Sequence, residues 1–213
     1  MRWTRRDTAL AELSAMTALI LTYIWIWRDA FPGDVLAVVA GYFGIALSSH
    51  WRRGETASGL GLRWDDWKSG TRGASPVVAC AVSAPLVAGA LLDSLHFPAT
   101  LHLLASLAWL LVWGTLQQYG LLCFFYRRMN EVLPDPRAAT AGTAVLFATF
   151  HLPNPFLTAV TTAAGVLSCT LYRRGVNVFV LGAAHAAISM ALYYGLPESL
   201  THGLRVGPAY LAR

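Results

Sequence analysis

Apolar residues along this chain do not alternate with polar ones. They run in long, unbroken stretches rich in Leu and Ala. Such runs predict helices rather than the alternating segments of about 10 residues that a membrane β-barrel needs. Seven stretches qualify as spans, at roughly 8–28, 35–51, 75–92, 102–126, 138–151, 156–172 and 176–196. The fifth is short for a hydrocarbon core about 30 Å thick, and it runs into Leu152-Pro153-Asn154-Pro155, where two prolines forbid helix continuation. A helix that stops inside a membrane must face protein or a wet cavity rather than lipid. The fold expected is therefore all-α: one polytopic transmembrane helical bundle over 1–213 with about seven spans.

Composition agrees. Of 213 residues, 56% are hydrophobic and 13% charged, against about 25% charged in an ordinary soluble domain. Sixteen basic and 11 acidic residues cannot cover a globule that apolar, and disorder needs low hydrophobicity. The net charge of +5 reports orientation and anionic lipid in such a chain, not nucleic acid. Cys80, Cys123 and Cys169 all fall inside apolar stretches, so they make neither a disulfide framework nor a metal-ligand spacing. With the N-terminus cytoplasmic, 13 of the 16 basic residues fall on the cytoplasmic side, as the positive-inside rule requires. The first span follows Arg2, Arg5 and Arg6, but Glu12 interrupts it and no small-x-small cleavage site follows, so it is expected to be an uncleaved helix. The longest loop, 52–74, is expected to be cytoplasmic, with Trp64-Asp65-Asp66-Trp67-Lys68 at the headgroup level.

Polar side chains at membrane depth mark function. His50, His96, His102 and His202 fall near span ends and are expected at the interface. His151 and His185 lie well inside. At about 1.5 Å per residue, Gln117 and Gln118 lie about 12–14 Å from the cytoplasmic edge, His185 about 14 Å and His151 about 20 Å. Three spans thus place their unusual polar residues in one mid-membrane layer. Ser189 follows His185 by four residues and shares its helix face, Tyr193 continues that face, and Asn154 follows His151. Imidazoles from two helices can bind a divalent metal or hydrogen-bond a carbonyl. Interhelical hydrogen bonding alone would be the structural use of the same residues. Peptide hydrolysis also needs a base for water, typically a carboxylate, and spans four to seven hold none.

At these residues the chain resembles the CPBP family of intramembrane proteases, which includes the type II CAAX-processing enzymes and Abi proteins. Phe147-Ala148-Thr149-Phe150-His151 matches the family's Phe-x-x-x-His motif. His185-Ala186-Ala187-Ile188-Ser189 matches His-x-x-x-Asn, with Ser for Asn. Gln117-Gln118 stands where the Glu pair of Glu-Glu-x-x-x-Arg belongs, and Leu122 where its Arg belongs, with Arg127 and Arg128 close by. Gly59-Leu60-Gly61-Leu62-Arg63-Trp64 resembles the family's linker before the third helix, and the tail Gly203–Pro208 resembles some family endings.

The resemblance implies a metalloprotease-like or glutamic hydrolase of the bacterial cytoplasmic membrane, acting on a peptide or membrane-protein substrate among lipids. His151 and His185 would bind a divalent metal, zinc first, or stabilise the oxyanion, and Ser189 would orient them. Gln117 and Gln118 would occupy the place of the base, yet a neutral amide accepts no proton near pH 7. Two functions follow: an endopeptidase-like enzyme impaired by the missing Glu pair, or a non-catalytic binding or maturation factor on the same fold. A transporter finds no inverted repeat to rest on.

Overall fold

The computed structural model describes residues 3–64 and 67–212. Among them no strand occurs, and the chain runs through ten α-helices: α1 Arg5–Thr22, α2 Asp34–Arg53, α3 Trp67–Leu91, α4 Thr100–Gln118, α5 Arg127–Val132, α6 Pro136–Thr149, α7 Pro155–Arg173, α8 Val178–Gly195, α9 Glu198–Thr201 and α10 Pro208–Leu211. Two π-helical stretches, Tyr23–Trp27 and Tyr119–Tyr126, extend α1 and join α4 to α5. Six helical stretches are long and apolar enough to cross a membrane: Arg5–Trp27, Asp34–Arg53, Trp67–Leu91, Thr100–Val132, Pro155–Arg173 and Val178–Gly195.

The stretch expected as the fifth span is α6, and it has 14 residues. That is about 21 Å, short of a bilayer core. The expected loop 52–74 is also shorter, because α3 begins at Trp67 and α2 runs to Arg53. Asp65 and Asp66 of the interfacial segment lie outside the described residues.

The helices start and stop where side chains dictate. Thr4 and Asp7 form a reciprocal capping box at the head of α1, with Thr4 Oγ1 accepting from the Asp7 amide at 3.2 Å. Asp135 caps α6, with Pro136 at the first helical position. Asn154 caps α7 through Oδ1, which accepts from the Leu157 amide at 3.0 Å, and Asn177 does the same for Val180 at 2.9 Å at the head of α8.

The chain forms two compact units. The first takes the described parts of 1–60, 120–167 and 205–213. Its tail is tied in. Asn154 Nδ2 donates to the Arg205 carbonyl at 3.2 Å, and the Gly207 amide donates to the Leu152 carbonyl at 2.9 Å. Gly207 sits at φ +58 with the Ile24 backbone oxygen 3.0 Å from where a Cβ would be, so only glycine fits. The Pro-flanked turn after α6 is thus held by the tail, which satisfies backbone groups the broken helix leaves open.

The second unit takes 61–119 and 168–204. The Gly61 carbonyl accepts from the Val178 amide at 3.0 Å, Arg63 donates to the Gly175 carbonyl at 3.3 Å, and the Trp64 ring stacks on Phe179 at 4.1 Å. These contacts dock the linker on the start of α8. At the other end of α8, Ser94 Oγ donates to the Gly195 carbonyl at 2.9 Å.

Candidate functional site

In the second unit α4 and α8 cross at glycine. A Cβ on Gly114 would lie 2.9 Å from the Gly182 oxygen and 3.1 Å from His185 Cδ2, and one on Gly182 would lie 2.8 Å from Thr115 Cα. Small residues on both helices let the backbones approach. One turn along α4, Gln118 Nε2 meets His185 Nδ1 at 3.3 Å. Gln118 is 2% exposed, and its Oε1 is buried with no hydrogen-bond partner among the described residues. Gln117 and His185 are half-buried. Ser189, one turn beyond His185 on α8, is half-buried.

His151 belongs to the first unit. Its Nδ1 lies 2.8 Å from the Phe147 carbonyl. A carbonyl only accepts, so Nδ1 carries the proton and Nε2 keeps the lone pair. The four-residue spacing of Phe147 and His151 has a local cause. α6 ends at Thr149, and the ring folds back onto a last-turn carbonyl that lacks a helical partner, edge-on to the Phe147 ring at 4.8 Å.

Leu122, at the place of the motif's Arg, is fully buried apolar core in the π-helical stretch. The basic residues just beyond it do something the sequence did not disclose. In the first unit Arg128, which is 0% exposed, donates to Glu131 Oε1 at 2.6 Å and pairs with Glu55. Arg53 donates to Glu131 at 2.9 Å and to Glu12 at 3.1 Å, and Arg52 donates to Glu12 at 2.6 Å. Arg127 donates to Glu55 at 2.7 Å, and His50 Nδ1 lies 2.7 Å from Glu55. Ser49 donates to Glu12 at 2.8 Å. Glu12, expected only as an interruption of the first span, is one anchor of this buried ionic network, and His50, expected at the interface, is 4% exposed within it. The signal available was the lone acid in an apolar run together with two Arg-Arg pairs.

Glu55 lies in the loop after α2. Burial pushes its carboxyl up, but the hydrogen bonds from His50 and Arg127 and the Arg128 charge outweigh burial and hold it at about 2. A depressed folded pKa gives stability that is complete above the unfolded value and is lost as pH falls toward the folded one. Thermal unfolding in detergent should therefore show a loss between about pH 4.5 and pH 2. In Glu55→Gln that part of the pH dependence should be missing. An unchanged profile would show that Glu55 does not couple folding to pH.

Among the described residues no three His, Cys, Asp or Glu side chains gather where an ion could sit, whereas a catalytic zinc takes three protein ligands.

The family model described as type II CAAX prenyl endopeptidase Rce1-like matches residues 99–191. That range contains Gln117-Gln118, Phe147 to His151 and His185 to Ser189. No curated protein and no solved structure matches the chain. With six helices long and apolar enough to cross a membrane, the chain is an integral membrane protein, and over residues 99–191 it is similar to the type II CAAX prenyl endopeptidase Rce1-like family.

Proposed function

We propose that this chain is an intramembrane endopeptidase-like protein of the CAAX-processing type. It binds a peptide or membrane-protein segment in the cytoplasmic half of a bacterial cytoplasmic membrane and hydrolyses it poorly. The observation that carries the proposal is the contact of Gln118 with His185 at 3.3 Å. The position where the family places a Glu of its first motif meets the first His of its third motif, but an amide stands where a carboxylate would be.

The chemistry follows from that exchange. Hydrolysis needs a group to take a proton from water and donors to stabilise the oxyanion. Gln117 and Gln118 can orient water through their oxygens and cannot deprotonate it. His151, with its lone pair on Nε2, is the remaining base. Ser189 would orient the bound peptide as a hydroxyl donor. A positioned base is worth about 10²–10⁴ in rate.

Cleavage of a prenylated CAAX-type peptide by protein in lipid vesicles tests this. Wild type should be slow, and Gln118→Glu, alone or with Gln117→Glu, should raise the rate about 100-fold. His185→Ala should abolish the gain. A wild-type rate equal to that of the Glu variants would overturn the impairment. Tight peptide binding with no cleavage in any variant would favour the second reading, a non-catalytic binding or maturation factor. The buried amide of Gln118, already engaged with His185, supports that second reading.

A further inference from the structure

The contact between Gln118 and His185 sets more than a distance. Nδ1 of a neutral imidazole is either a donor or an acceptor, and the partner decides which. Gln118 could present its oxygen or its nitrogen to the ring. The cost of each choice settles it. With Nε2 toward His185, one carbonyl oxygen is left buried without a partner. With the amide turned over, its oxygen would accept from the ring N–H and both amide N–H groups would be left without partners, in place of the one oxygen and one N–H left in the present orientation. Buried N–H groups without partners are rarer and costlier than under-satisfied carbonyl oxygens. Gln118 is 2% exposed, so water does not cancel the difference.

We infer that Gln118 is a positioning residue that fixes the tautomer of His185. The amide nitrogen donates to Nδ1, so the ring carries its own proton on Nε2. His185 is then a hydrogen-bond donor at Nε2, suited to polarise a carbonyl or hold an oxyanion. It is unsuited to accept a proton from water or to bind a metal, because Nδ1 is occupied and Nε2 is protonated. His151 has the opposite arrangement, with the proton on Nδ1 held by the Phe147 carbonyl and the lone pair on Nε2. The two histidines of the family motifs therefore differ in kind: one donates at Nε2 and the other accepts there. A carboxylate at position 118 would accept from Nδ1–H and reverse His185. The exchange of Glu for Gln thus changes the role of the histidine as well as removing a base. The inference deepens the proposed function but stands on the geometry of α4 and α8 alone.

Nitrogen-15 NMR of the full chain, labelled at histidine and held in lipid nanodiscs near pH 8, reads the tautomer directly. His185→Ala assigns the signal. Wild-type His185 should show a protonated Nε2 and an unprotonated Nδ1, and His151 the reverse. Gln118→Glu should switch His185 to a protonated Nδ1. Gln118→Met, which keeps the volume and removes the donor, should give a mixture. Zinc added to wild type should leave the His185 signals in place. A wild-type His185 with its proton on Nδ1, or one that shifts with zinc, would overturn the inference. Hydrolysis is not part of this readout, so a failure of the proposed function and a failure of this inference are separate results. Circular dichroism of each variant shows whether it is folded, and a variant that unfolds is replaced by Gln118→Leu, for which the mixture is again expected.

Discussion

Arg128→Met should destabilise the first unit by about 3–5 kcal/mol, the usual cost of removing one partner from a buried ion pair. Arg128 is 0% exposed and is shared between Glu131, at 2.6 Å, and Glu55. Without it, Glu55 keeps Arg127 and His50, and Glu131 keeps Arg53, but each carboxylate loses a charged donor in a place where water cannot substitute. Met fills most of the volume, so the loss reports charge rather than a cavity. The guanidinium is not perfectly served even in wild type: its Nε lacks a hydrogen-bond partner, with Glu12 Oε2 3.9 Å away. Arg128→Lys keeps the charge but loses the two-armed donor geometry and should fall between wild type and Met. Unfolding in detergent with increasing dodecyl sulfate measures all three. Adding Glu131→Gln to Arg128→Met should recover part of the loss, because the stranded charge is removed with its partner. A loss below about 1 kcal/mol for Arg128→Met would place the network among surface-like pairs, which contribute little.

The network also shows where the sequence stops being legible. The six spanning helices follow from apolar runs, and α6 follows from the two prolines that stop it. The asymmetry of basic residues gave an expected orientation and, with it, a count of seven spans. The stretch at α6 was counted with the spans because a positive-inside tally does not depend on the length of a span. The partners of Arg128 were beyond reach for two reasons. Glu12, His50 and Glu55 lie 73 or more positions before it, apart from Glu131 three positions on. The π-helical stretch Tyr119–Tyr126 also stands between Gln118 and Arg127, and its wider turns move later residues off the azimuth an α-helical count would give. The family's Arg position therefore resolves to Leu122 in the core, while the arginines that matter lie past the π stretch. His151 was legible because its hydrogen bond is local, four residues back to Phe147. The contact of Gln118 with His185 was legible only as a shared depth. The glycines that bring α4 and α8 together carry no polar signal in the sequence, yet they determine whether that shared depth becomes a contact.

Gly182→Leu tests that dependence and should cost about 3 kcal/mol or more, at or above the upper end for overpacking a core. A Cβ at position 182 would meet Thr115 Cα at 2.8 Å and Thr115 Cβ at 3.0 Å, and its nearest neighbour would be the Thr115 hydroxyl. Two of those atoms are fixed by the α4 backbone, so rotamer change in Thr115 cannot relieve the clash. The helices must separate, and the 3.3 Å contact of Gln118 with His185 lies one turn away. A shift on the order of 1 Å takes that pair past any hydrogen bond. Two losses should therefore appear together: resistance to unfolding by dodecyl sulfate, and the single His185 tautomer in the nitrogen-15 spectrum. Gly44→Leu is the control. It lies in α2 with nothing within 4 Å of its Cβ position, so its effect should stay within about 0.5 kcal/mol. If Gly182→Leu behaves like Gly44→Leu, the helices do not meet at Gly182, and the placement of His185 against Gln118 falls with that crossing. If stability drops while the tautomer survives, the crossing is structural and the pair is held by something other than the approach of these two backbones.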